Sequence, residues 1–89
     1  MNKRDSLLQL ATELRGTPLT QEMITNEVEF SDDGLPCFKL TINDVEVEVL
    51  WETGVVYAAA SWSDDSRSMT EAVLEAIQEN LDDLESEGL

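Results

Sequence analysis

The sequence predicts an α+β fold in two layers: an antiparallel meander of 3-4 strands with an N-terminal and a C-terminal helix, in the order α-β-β-β-β-α. Three observations predict it. Apolar residues recur at helical spacing near the start, alternate with polar ones around a two-residue turn in the centre, and return to helical spacing near the end. The 89 residues are read as one acidic domain, 1-89, which buries only about two-thirds of its unfolded surface, so that pairing with a second copy would help it.

In RDSLLQLATELRGTPL, Leu7, Leu10, Ala11 and Leu14 keep the i, i+3, i+4, i+7 pattern of a helix. Asp5 or Ser6 is the expected N-cap, Gly16 the stop, with Pro18 beyond. MITNEVEF alternates Ile24, Val28 and Phe30 with Thr25, Glu27 and Glu29 and ends in the turn-rich SDDGLP, which predicts an edge strand.

The centre, CFKLTINDVEVEVLW, is the most informative stretch. A two-residue turn at Asn43-Asp44 pairs Ile42 with Val45, Leu40 with Val47 and Phe38 with Val49, all apolar. The same register sets Thr41 against Glu46 and Lys39 against Glu48, and a slip of one residue would destroy both patterns. A second turn at ETG, with Gly54 supplying a left-handed position, predicts a third meander strand, VVYAAASW, pairing Trp51 with Val55 and Val49 with Tyr57. After the polar loop SDDSRS, Ser68 stands three residues before Glu71 as a capping box. The closing helix then runs from about Met69 to Leu84, with Met69, Val73, Ala76, Ile77, Leu81 and Leu84 on its apolar side.

In this register the helices cover one face of the sheet. Leu50, Val56, Ala58, Ala60 and Trp62 group on the other, where an apolar patch with a tryptophan predicts a partner-binding site. The alternative is structural: the first helix or the Pro18 to Met23 segment folds over the patch, or Trp62 tucks beneath the closing helix.

Twenty acidic residues against five basic leave a net charge of -15. Direct binding to nucleic acid is excluded on this reading, because it needs Lys and Arg against phosphate, and an anionic membrane would be repelled. A basic or partly unfolded protein partner would be attracted, although strong acidity also serves solubility alone. On the closing helix Glu71, Glu75 and Glu79, with Asp82 and Asp83, form an acidic surface of like-charged i, i+4 neighbours, each pair costing about 0.2 to 0.5 kcal/mol. No Lys or Arg is expected to offset them.

The chemistry of catalysis is not assembled. There is no His, so the commonest general base and the commonest transition-metal ligand are missing together. Cys37 has no activating partner and is expected as a half-buried strand residue. Adjacent carboxylates such as Asp64-Asp65 and Asp82-Asp83 read as solvated charge. No calcium-loop spacing and no glycine-rich phosphate loop occurs, so neither a metal nor a cofactor is expected, and the chain is not expected to be an enzyme. A lone cysteine points to a reducing cytoplasm, and the basic start lacks the apolar run of an export signal or membrane span.

The helix SLLQLATELRGTPL, followed by a loop and then DGLPCFKLTINDVEVEVL, resembles the first half of the small acidic chaperones of bacterial type III secretion, over residues 6-60. By position, Leu7, Leu10 and Leu14 match the family's first helix, and Phe38, Leu40 and Ile42 its first strand. The resemblance implies an α+β fold and a cytoplasmic homodimer. It also implies apolar patches on helix and sheet that hold the extended N-terminal segment of a secreted effector. The family carries a further helix and strand pair before its last helix, whereas SWSDDSRSMTEAVL passes straight into the closing helix here.

Two functions are therefore expected. The first is a protein-binding module of chaperone or adaptor type, using the apolar patch for contact and the acidic helix for steering. The second is an inhibitor that mimics nucleic acid, whose carboxylates at successive helical turns, about 5 to 6 Å apart, imitate phosphates.

Overall fold

The computed structural model describes residues 2–87 as an α+β arrangement of one helix, three antiparallel strands and two further helices. Helix α1 covers Lys3–Gly16 and a short 3-10 turn covers Gln21–Met23. The strands are β1 (Ile24–Asp32), β2 (Leu35–Ile42) and β3 (Val45–Val49), in that order across the sheet. They are followed by α2 (Trp51–Trp62) and α3 (Ser66–Glu87).

The central hairpin forms in the expected register, with Phe38 opposite Val49, Leu40 opposite Val47 and Ile42 opposite Val45. Asn43 and Asp44 both take positive φ, 50° and 67°, as a hairpin with a two-residue primed turn requires. On its polar face Lys39 reaches the diagonal Glu46 at 3.3 Å rather than Glu48 directly across. The β1–β2 hairpin turns through Asp33 and Gly34, again at positive φ.

The expected strand VVYAAASW is a helix, and this is the main correction to the sequence reading: the order is α-β-β-β-α-α, and the pairs Trp51 with Val55 and Val49 with Tyr57 do not form. The physical reason lies in the small residues. Thr53, Gly54, Tyr57 and Ala60 are the buried set, spaced as one helical face, and three consecutive alanines favour helix over strand. Gly54 makes no left-handed turn. It lets α2 press against β2, where a Cβ would lie 2.8 Å from the Pro36 carbonyl oxygen.

Two caps also differ from expectation. Asn2, rather than Asp5 or Ser6, caps α1, its Oδ1 accepting from the Asp5 N–H at 2.8 Å. Asp65, rather than Ser68, caps α3: its carboxylate accepts from the Ser68 N–H and from the Ser68 hydroxyl, which holds the Asp65 carboxyl below its usual range. Between them α2 ends with Asp64 at positive φ. The Asp65 N–H donates to the Ala60 carbonyl there, and the Asp64 N–H to that of Ser61.

One core joins these elements. Phe38, Leu40, Ile42, Val47 and Val49 face Leu7, Leu10 and Leu14 of α1 and Met69, Val73, Ala76, Ile77 and Leu81 of α3. The α3 residues expected on the apolar side are thus buried, with Leu84 partly so. Tyr57 of α2 meets Phe38 edge-on, with ring centroids 5.2 Å apart. Cys37 lies on the opposite face of β2 from Phe38 and is buried.

Candidate interaction surface

Helix α2 buries one flank and exposes the other. Trp51, Val55 and Trp62 follow i, i+4, i+11 spacing, which aligns them along the exposed flank, with Val56 and Ala59 beside them. All five are exposed, and Glu52 is the only charge in the helix. Trp62 is 92% exposed, so it does not tuck beneath a neighbouring element.

The five residues predicted for partner binding are thereby redistributed from a sheet face to a helix. Leu50, Val56 and Trp62 are exposed, Ala58 is half-buried, and Ala60 is 4% exposed and belongs to the core. Trp51 and Val55, expected as a cross-strand pair, are instead one helical turn apart and join the exposed band. Their spacing of four was the available signal, and it fits a helix better than a strand.

The band borders β1 on both faces. A bulge between Ile24 and Asn26 shifts the strand's phase, so Ile24 faces the core layer while Val28 and Phe30 face away from it. Glu27 and Glu29 consequently sit on the helix side, opposite Leu40 and Phe38. With Tyr57, Ala58 and Trp62 they line an open groove of about 450 Å³ floored by Phe38. The Tyr57 hydroxyl donates to Glu27 Oε2 at 3.1 Å. Burial, reinforced by the Glu27 charge and this bond, pushes the Tyr57 hydroxyl well above its ordinary range, so it stays a donor. On the other face Phe30, Leu50 and Trp51, together with Glu48, Glu52 and Glu79, surround a smaller hollow over Cys37.

The acidic helix is more varied than expected. Glu71, Glu75, Asp82 and Asp83 are exposed, but Glu71 has a cationic neighbour after all in Arg67, at 3.6 Å, and Glu85 has Arg4 at the same distance. Asp82 accepts from Gln78. Glu79 turns inward, where its Oε1 accepts from the buried Thr53 hydroxyl and its Oε2 is buried with no partner among the described residues. Burial raises the Glu79 carboxyl above its ordinary value, helped by the charges of Glu75, Glu52 and Asp83, while the Thr53 bond opposes the rise.

Among the described residues no cluster of side chains is arranged to hold a metal ion, and no helix is long and apolar enough to cross a membrane. No family model, curated protein or solved structure matches the chain.

Proposed function

We propose that this chain is a protein-binding module of chaperone or adaptor type, without catalytic activity or cofactor, whose contact surface is the exposed flank of α2. The observation that carries the proposal is the band of Trp51, Val55, Val56, Ala59 and Trp62, an uncharged stripe on a chain of net charge -15. Solvent exposure of two tryptophans on one flank has no stabilising role in the folded chain, and such rings anchor interfaces well. Carboxylates around the stripe, from Glu27 and Glu29 to the exposed part of α3, would steer a basic or partly unfolded partner toward it. A reducing cytoplasm suits the free Cys37, and a second copy of the chain is a further candidate for the stripe.

The test is capture of partners from the native cytoplasm by the wild-type chain and by Trp62→Glu, with circular dichroism to establish that both fold. Loss of every captured partner in the variant is expected. Unchanged capture would remove α2 as the contact surface.

The second reading, mimicry of nucleic acid, draws on the exposed carboxylates of Glu75, Asp82 and Asp83. It ranks lower because Glu79 points inward and Glu71 lies beside Arg67, which interrupts the row. Capture that survives Trp62→Glu but vanishes in high salt would favour it.

A further inference from the structure

The two edges of the sheet are not equivalent. At the β3 edge the backbone of Glu48 is already satisfied: its N–H donates to Asn80 Oδ1 at 3.2 Å and its carbonyl accepts from Asn80 Nδ2 at 2.8 Å. Helix α3 thus engages that edge at Glu48 with one side chain, while Glu46, turned outward by the same register, is exposed. At the β1 edge no further strand pairs among the described residues, and every residue from Thr25 to Ser31 is exposed.

Register identifies which groups are open. The two-residue turn at Asp33 and Gly34 closes on the Asp32–Leu35 pair, which exchanges hydrogen bonds, so Phe30–Cys37 and Val28–Lys39 do the same. Ser31, Glu29 and Glu27 therefore direct their backbone N–H and C=O away from β2, toward the open edge. Pro36, which has no N–H, falls opposite Ser31, where none is needed.

We infer that this edge accepts an extended segment of another protein as an added strand in which Lys or Arg alternates with apolar residues. Paired residues of neighbouring strands share a face. Residues opposite Glu27 and Glu29 therefore enter the groove beside Trp62, where two carboxylates and an indole ring suit a cationic side chain. Residues opposite Val28 and Phe30 lie on the other face, where those exposed apolar side chains suit Val, Ile or Leu. A second copy is a poor occupant, because pairing β1 with β1 about its centre sets Glu27 or Glu29 against another Glu. The inference rests on the protein-binding reading and specifies the partner's conformation and charge pattern.

The test uses a fluorescein-labelled peptide matching the nine residues of β1 in length, alternating Lys with Val, added to the full chain at near-physiological salt. Its controls are a peptide of the same composition with its charges in one block, and the alternating peptide N-methylated at every second residue. Fluorescence anisotropy is expected to show the block peptide and Glu29→Gln weakening binding about tenfold, and the methylated peptide and Glu29→Pro abolishing it. Hydrogen exchange is expected to slow at Glu27, Glu29 and Ser31. Equal binding of block and alternating peptides, or protection confined to α2, would overturn the inference, as would a dimer in sedimentation that Glu29→Pro dissociates. If the alternating peptide fails to bind while Trp62→Glu still abolishes partner capture, strand addition is lost and the module reading stands. If the peptide binds but capture ignores Trp62, the reading of α2 falls instead.

Discussion

The β3 side of the sheet and the β1 side differ in nearly everything that makes a strand stable. On the β3 side one face lies under α1 and α3, Val47 and Val49 are fully buried, and Asn80 occupies the edge. On the β1 side the strand is longer, yet both faces meet solvent over Thr25–Ser31, and Val28 and Phe30 are 48% and 36% exposed. Stability resides where helices cover the sheet, and the surface available for binding is what they leave uncovered.

Substitutions sharpen this contrast in order of size. Leu40→Ala, in the covered part of β2, is expected to cost about 2 to 5 kcal/mol in urea denaturation, whereas Val28→Ala should stay within about 0.5 kcal/mol. Comparable costs at the two positions would mean that β1 is covered in solution. Next comes Gly54→Ala. Its Cβ would meet the Pro36 carbonyl, so thermal unfolding should report a loss of about 1 to 3 kcal/mol as α2 is pushed off β2.

Asn80→Ala should cost about 1 kcal/mol and accelerate exchange of the Glu48 amide, making the β3 edge resemble the β1 edge. Unchanged exchange would show that the cap does not protect it. Glu79→Gln is a smaller effect with a definite sign. A carboxyl raised in the fold contributes its full stability where it is protonated in both states, and loses it as pH rises through the folded value. The variant should therefore melt above the wild type at neutral pH, with the gain fading in acid. A constant difference across pH would reject that origin. Trp62→Ser, at the far end of the uncovered region, should leave the midpoint within about 0.5 kcal/mol.

How much was legible follows from the same division. The β2–β3 hairpin was readable because a two-residue turn and a period of two specify one register and forbid its neighbours. Helix α3 was readable from its apolar spacing, although its cap lay three residues earlier than the Ser68 and Glu71 pattern indicated. Helix α2 was misread because Val55, Val56 and Tyr57 favour strands while Gly54 resembles a turn, and local preference was outweighed by close packing on β2. The candidate surface was legible in part. Trp62, Val56 and Leu50 are exposed as expected, but Ala60 is buried, and Trp51 and Val55 were missed because helical geometry regroups the same letters.

Local pattern by itself determined the first and last helices and the central hairpin. All of these depend on which residues are near one another along the chain. Tertiary structure alone decided that Gly54 would seat a helix, that Glu79 would turn toward Thr53 and that Asn80 would engage the β3 edge at Glu48 while the β1 edge stayed open. Those outcomes depend on how closely elements far apart in sequence can approach, which the spacing of residues along a single strand or helix does not contain.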